Sequence, residues 1–295
     1  KKITHATMEF FDIAGQAPAK GKSMDSQVMQ TLKNADSLMV VLDAFSDGAA
    51  PERDLDAVIG EFAFSDLVVA TGRLERIEKD LRSGKSDQLL AEKAVLERCR
   101  TVLEGGGALR ALEFGEEEEK AIRGYQFLSR KPLLIVVNIT ESDLSSGKAA
   151  VYEERFAGVE HSRCAAVCAE VEMEIAALDE ADRPEFLESM GIAEPALGRL
   201  IRLGYESLGL ISFFTAGGTD DVRAWTVNRG AKAPEFAGVI HFDLARGFIR
   251  AETVAYRDRM AVGSCKTARE KGTLRIEGKD YIVEDGDVLT IRFSV

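Results

Sequence analysis

What this chain has little of narrows its function before any motif is read. Four cysteines (Cys99, Cys164, Cys168, Cys265) and three histidines occur in 295 residues, and no two cysteines stand as Cys-x-x-Cys. A disulfide framework or a paired-cysteine zinc site is therefore not expected, and a reducing cytosol is the natural setting. No apolar run approaches the roughly 20 residues of a membrane span. Lys1-Lys2 leads into a mixed segment with no signal-peptide core. Basic charge is also short, with 38 Lys and Arg against 50 Asp and Glu for a net −12, which argues against a surface coated for nucleic acid. The shortage is uneven: residues 219–295 hold 13 basic and 12 acidic side chains, so local RNA contact stays open at that end. Also lacking, within the residues given, is a phosphate loop of the form Gly-x-x-x-x-Gly-Lys-Ser/Thr. Gly21-Lys22-Ser23 has Gln16 where the first glycine belongs, and Gly84-Lys85-Ser86 has Lys79 there.

What is present begins with Met8–Phe11, an apolar run ending in Asp12-Ile13-Ala14-Gly15. Read as a buried strand, it delivers a carboxylate to its carboxyl end, followed by a glycine that a ligand can approach closely. Gln16–Asp25 is a polar loop with Pro and Gly and no periodicity, and residues 26–34 read as a short helix. Two continuous apolar runs follow, Ser37–Leu42 ending in Asp43-Ala44-Phe45 and Pro132–Val137 ending in Asn138-Ile139-Thr140-Glu141. A weaker one, Ala165–Val167, ends in Cys168-Ala169-Glu170. Such runs suit parallel strands buried on both faces, with their polar tips at the ligand-facing edge of an open α/β sheet.

Between the first two runs, Leu67, Leu74 and Leu81 recur every seven residues, as do Leu89, Leu96 and Leu103. Residues 82–87 form a turn between these arms, and Gly105-Gly106-Gly107 stops the second. The pattern predicts an antiparallel coiled-coil arm, with a helical hairpin packed on the sheet as the alternative. Glu116–Glu119 reads as a solvated helix start. Helical segments near 175–178, 185–190 and 197–208 close the sheet domain, and 215–219 is a small-residue boundary. Beyond it, short alternating strands are expected at 222–227, 247–256, 273–276, 281–283 and 288–295, with a helix near 234–240. They make an α+β module of ~75 residues, a plausible size for one small core.

These residues carry a resemblance. Asp12-Ile13-Ala14-Gly15, Asn138-Ile139-Thr140-Glu141 and Cys168-Ala169 lie in the order of the third to fifth motifs of a GTPase-type domain. The tail is more specific: Val222–Val227, Gly238–Asp243, Gly247–Glu252 and Glu277–Asp287. Together they resemble the YchF or Obg-like ATPase family of TRAFAC-class P-loop NTPases. The resemblance covers nearly the whole chain. It implies an α/β P-loop NTPase (G-domain) sheet over 1–53 and 128–214. A coiled-coil insertion over 54–127 and a C-terminal α+β β-grasp (TGS) domain over 215–295 complete it.

It further implies Mg²⁺-dependent hydrolysis of a nucleoside triphosphate, ATP or GTP, by a cytoplasmic protein associated with ribosomes or RNA and not with membranes. A phosphate loop and first switch are expected upstream of Lys1. Carried over position by position, Asp12 holds Mg²⁺ through water, with Ile13 and Ala14 in the same motif, and Gly15 meets the γ-phosphate. Phe45 borders the base, Asn138 and Ile139 contact it, and Cys168-Ala169 close over it. Gln16 stands where small GTPases keep a water-positioning glutamine, and it is either that or a solvated loop residue. Arg223, Arg229, Lys232 and Arg250 are candidates for an RNA-facing surface, against the default of a mixed charged face. Trp225 reads as a core anchor.

Base choice has a physical side. A GTPase motif of Asn/Thr-Lys-x-Asp accepts two hydrogen bonds from guanine on its aspartate, an acceptor that adenine cannot satisfy. Here Glu141 replaces that aspartate and Ile139 the lysine, which relaxes the rejection of adenine and favours ATP. A non-hydrolysing ribosome- or RNA-binding adaptor and a true GTPase stand as the alternatives.

Overall fold

The computed structural model describes residues 2–13, 26–217 and 221–294, and these fall into two compact units, Asp12–Ser207 and the remainder. The first strand, β1 (Lys2–Thr4), belongs to the smaller unit.

In the larger unit, α1 (Ser26–Asn34) leads into β2 (Leu38–Asp43). Then come α2 (Pro51–Ser83) and α3 (Asp87–Glu104), a short α4 (Glu116–Ile122), and β3 (Leu133–Asn138). The chain continues through α5 (Glu141–Ser145), α6 (Lys148–Phe156), β4 (Ser162–Val167), α7 (Ala169–Ala177), α8 (Arg183–Ser189) and α9 (Ala196–Ser207). Strands β2, β3 and β4 form a parallel three-stranded sheet in that order. Its central strand is buried from Leu133 to Val137, as a continuous apolar run implies. One face packs on Leu55 and Phe62 of α2, Phe156 of α6 and Val171 and Ile175 of α7. The opposite face of β3 and β4 is covered by Ala196, Leu200 and Leu203 of α9. That cover does not extend to β2, where Met39 and Val41 are exposed, so this strand is buried on one face rather than the expected two.

The heptad leucines lie where the spacing puts them, on two helices that fold back on each other. Ser86 caps α3 by accepting the Leu89 N–H at 3.4 Å, and Pro51 opens α2, where its missing N–H costs nothing. Arg73 donates to Glu92 and Lys93 pairs with Glu78 across the two helices. Leu74, Leu96 and Leu103 are fully buried, but so are Leu109, Ile122 and Phe127 of the returning chain. The apolar stripe is thus closed by a third layer as well as by the facing helix.

Met8–Phe11 departs from expectation. No strand forms over these residues, and Phe10 and Phe11 are 53% and 68% exposed. An apolar run becomes a strand only when a neighbouring strand satisfies its backbone, and among the described residues none lies beside it. The strand that does form is β1, and it pairs in parallel with the C-terminal sheet, Ile3 opposite Val222.

That sheet belongs to the smaller unit. Its elements are β5 (Leu210–Gly217), β6 (Asp221–Asn228), α10 (Ala233–Ile240), α11 (Phe242–Arg246) and β7 (Phe248–Ala255). They continue as α12 (Tyr256–Val262), α13 (Cys265–Glu270), β8 (Arg275–Glu277) and β9 (Asp287–Phe293). The strand order is β1-β6-β5-β9-β7-β8. Residues 210–214, read as the end of the sheet domain, and 215–217, read as a boundary, form one strand in the middle of this second sheet. Residues 281–283 make only an isolated bridge, Lys232 with Ile282. Phe213, Trp225, Leu289 and Ala251 pack under Phe236 of α10. Trp225 is the anchor its type suggests, with Nε1 donating to Thr215 Oγ1 at 2.9 Å.

Candidate functional site

The carboxyl edge of the three-stranded sheet gathers several of the expected residues. Register sets Asp43 opposite Asn138 and Asn138 opposite Val167, so three strand tips end level. Backbone bonds extend the ladder past the strands: Ala44 N–H donates to the Asn138 carbonyl and Ile139 N–H to the Val167 carbonyl, both at 2.9 Å. Asn138 Oδ1 accepts the Ala169 N–H at 3.0 Å, which ties the β3 tip to the start of α7. Its side chain occupies the place of a helix cap that Cys168 does not fill. Thr140 caps α5 by accepting the Asp143 N–H at 3.1 Å, leaving Glu141 exposed on that helix's first turn.

On the β2 side, Asp43 Oδ1 accepts the N–H groups of Phe45 and Ser46, each at 3.0 Å. This side-chain turn holds Phe45 out with its ring about half exposed (53%). The Ser46 hydroxyl and N–H hold the Asp43 carboxyl below the ordinary value of 3.8. Asp43 and Ser46 were not among the residues singled out from the sequence. The signal was there: a strand-ending Asp three residues before Ser is a turn pattern in which the carboxylate serves the backbone.

Two of the expected base contacts, Ile139 and Cys168, have buried side chains. Ile139 is 1% exposed and packs in the sheet core, so its side chain has no face to offer a ligand. Cys168 is likewise buried, and its exposed neighbour Ala169 is the part of that pair open to solvent. Asp12 is exposed and Ile13 half-buried, and Asp12 makes no hydrogen bond or ion pair with another described residue. Ala14, Gly15 and Gln16 lie outside the described residues.

Known proteins give this edge a context. A family model described as YchF-GTPase_C, a protein of unknown function (DUF933), matches residues 210–294. The chain is 39% identical over 299 residues to the Ribosome-binding ATPase YchF of Escherichia coli O157:H7, covering 98% of this chain and 82% of that protein. It is 38% identical over 308 residues to the Ribosome-binding ATPase YchF of Bacillus subtilis, covering 100% and 84%. The chain belongs to the YchF family. In three dimensions it is similar to the YchF GTPase of Schizosaccharomyces pombe, with a TM-score of 0.80 at 25% identity, over 93% of this chain and 78% of that one. The fold is therefore that of a P-loop G-domain protein of the YchF type.

A YchF-type fold implies Mg²⁺. Among the described residues no cluster of three His, Cys, Asp or Glu side chains is arranged to hold a metal. A nucleotide-borne Mg²⁺ keeps most of its ligands as water and phosphate oxygen and needs only one or two carboxylates. Asp12, unpaired among the described residues, fits that modest demand as a single outer ligand; the described residues do not form a free-standing magnesium site.

The four cations weighed for RNA do not share one surface. Pairing of β6, β5, β9 and β7 puts Arg223 on the sheet face of Thr215, Leu289 and Thr253, whereas Arg250 lies on the opposite face beside Arg292. The Arg223 guanidinium stacks 3.8 Å from the Trp225 ring centroid, and Lys232 pairs with exposed Asp280 at 3.2 Å. Arg229 is exposed in the turn after β6.

Proposed function

We propose that this protein binds and hydrolyses a nucleoside triphosphate across the carboxyl edge of β2, β3 and β4, in the service of the ribosome. The observation that carries the reading is the convergence at that edge of Phe45, Asn138 and Ala169, bound together through Asp43 and the Asn138–Ala169 hydrogen bond. Ligands in open parallel sheets bind outside the carboxyl ends of the strands, where this constellation lies. Phe45 offers an exposed aromatic edge to a base, Asn138 orients the strip that borders it, and Asp12 lends a carboxylate to phosphate-bound Mg²⁺. Mg²⁺, when bound, supplies charge neutralisation at the phosphates. Gly15 and Gln16 are assigned to the γ-phosphate and the attacking water. The names carried by the bacterial relatives, ribosome-binding ATPases, support both the activity and the partner; a ribosomal partner places the protein in the cytoplasm.

The division of labour we propose is a nucleotide-binding domain interrupted by a helical arm at 54–127 and followed by a TGS-type module from about 208. Arg223, Arg229, Lys232 and Arg250 are proposed as RNA contacts on two sides of that module.

We assign ATP ahead of GTP because Glu141 replaces the aspartate that guanine recognition requires. The GTPase reading is favoured by the name of the fission-yeast relative. Titration calorimetry of the full-length protein with ATP and with GTP, in Mg²⁺, separates them. Tighter ATP binding is expected, and equal or tighter GTP binding defeats the base assignment. Binding of neither nucleotide at millimolar concentration leaves the non-hydrolysing adaptor in its place.

A further inference from the structure

Helix α2 spans two cores, with Leu55 and Phe62 in the sheet core and Ala70, Leu74 and Ile77 in the hairpin core. Phe64 and Val68 belong to neither. They are 60% and 57% exposed, one turn apart, on the side of the helix opposite buried Asp66. Gly60 precedes them by four residues and Gly72 follows by four. Both glycines lie inside the helix, where each forfeits roughly 1 kcal/mol of helix propensity relative to alanine. Nothing in the fold requires them, since a Cβ built on either meets no atom within 4 Å. Four residues further out stand exposed Asp56 and Arg76, neither in an ion pair among the described residues; Arg76 donates only to its own helix, at the Gly72 carbonyl.

The row Asp56-Gly60-Phe64-Val68-Gly72-Arg76 therefore reads acid, small, large, large, small, base at a constant step of four. Reversed, it is its own complement. A row at i±4 is the ridge that packs when two helices cross near −50°, and glycines beside the crossing let the backbones approach. A two-fold axis between Phe64 and Val68 sets Phe64 against Val68 of a second copy, Gly60 against Gly72 and Asp56 toward Arg76. The same axis sets Glu61 against Thr71 and Glu75 against Ala57, so no carboxylate meets a carboxylate.

We propose that this face of α2 is a self-association surface that joins two copies of the chain antiparallel. One helix face is smaller than the ~1,200 Å² of a standard interface, so the dimer is weak. The occupant is a second copy because size and charge are matched only under reversal of the same row.

Sedimentation velocity of the full chain from roughly 5 to 500 µM tests it. The sedimentation coefficient is expected to rise with concentration. Phe64→Glu and Gly60→Leu are each expected to weaken association at least tenfold. Gly60→Leu removes a helix-interior glycine in open space, so its melting temperature is expected to hold or rise. At low salt, Asp56→Arg is expected to weaken the dimer and Asp56→Arg with Arg76→Asp to restore it. A chain that stays monomeric throughout overturns the proposal. So does a dimer that survives both Phe64→Glu and Gly60→Leu, since it must use another surface.

Discussion

Two aspartates in the larger unit, Asp43 and Asp66, do the same kind of work in opposite surroundings. Asp43 is at the open sheet edge and accepts two backbone N–H groups, those of Phe45 and Ser46. Asp66 is fully buried in α2 and accepts the N–H groups of Leu128 at 2.9 Å and Ser129 at 2.7 Å, with the Ser129 hydroxyl at 2.6 Å. Asp43 shapes a surface loop; Asp66 pins the returning chain to the root of the helical arm. Hydrogen bonds dominate at the first, and its carboxyl titrates below 3.8. Burial dominates at the second and raises its carboxyl above 3.8 despite the same kind of bonds. Neighbouring Arg110 is buried too, with its three guanidinium nitrogens unbonded among the described residues and its own pKa lowered by desolvation. A turn at a ligand edge has to be formed cheaply and stay accessible. A pin at a domain root has to be dry, and it bears a desolvation cost for being so.

The comparison breaks most visibly at the pin. Asp66→Ala strands two N–H groups and leaves Arg110 without its counter-charge, so a loss of about 3–5 kcal/mol is expected. Urea denaturation measures it, and a loss under about 1 kcal/mol would mean the pin carries little. At the edge, Asn138→Ala frees the Ala169 N–H at a solvent-accessible place and is expected to cost only about 1 kcal/mol of stability. Nucleotide affinity should fall at least tenfold, read by calorimetry on the same variant. A smaller effect comes from Phe45→Ala, which removes a half-exposed ring. Stability should change by less than about 0.5 kcal/mol while nucleotide binding weakens by about 0.5–1.5 kcal/mol.

The smallest effect sharpens the contrast instead of breaking it. A raised native pKa means that the folded state holds the proton more tightly than the unfolded chain. Asp66's contribution is therefore fully present below 3.8 and is lost as pH rises through its raised value. Asp43 has the opposite sign: its contribution is present above 3.8 and is lost as pH falls through its lowered value. Melting temperatures measured against pH should show wild type gaining on Asp66→Asn as the solution is acidified toward 3.8. Below 3.8, wild type should lose ground to Asp43→Asn. Parallel pH profiles for the two variants would show that the two carboxylates are not in opposed environments.

The hairpin shows how far local pattern reaches. Leucines seven apart placed α2 and α3, and Ser86 and Gly105–Gly107 bounded them, because caps, turns and helical periodicity are properties of neighbouring residues. The same pattern could not reveal that Leu109, Ile122 and Phe127 share the burial, since that closure involves chain far along the sequence. The apolar runs of β2 and β3 looked alike, yet α9 covers only one of them. At the site, Asn138 and Phe45 were legible as residue types at strand ends. Asp43 is legible as a polar strand tip, but its role lies in two backbone bonds that a sequence does not display. The burial of the Ile139 side chain is not written in the sequence, because packing sets which neighbour at a strand's end turns inward.

By itself, then, the sequence determined the helical hairpin and the strands β2, β3 and β4, which tips carry polar groups, and the family to which the chain belongs. Those follow from periodicity, capping and motif order, all written within a few residues of one another. Tertiary structure alone decided that Lys2–Thr4 pairs with residues more than two hundred positions away, that Asp66 is buried while Asp43 is not, and which side of α2 is left bare. Burial is a relation between distant segments, and it sets both the direction in which a carboxylate titrates and the surface left for a partner.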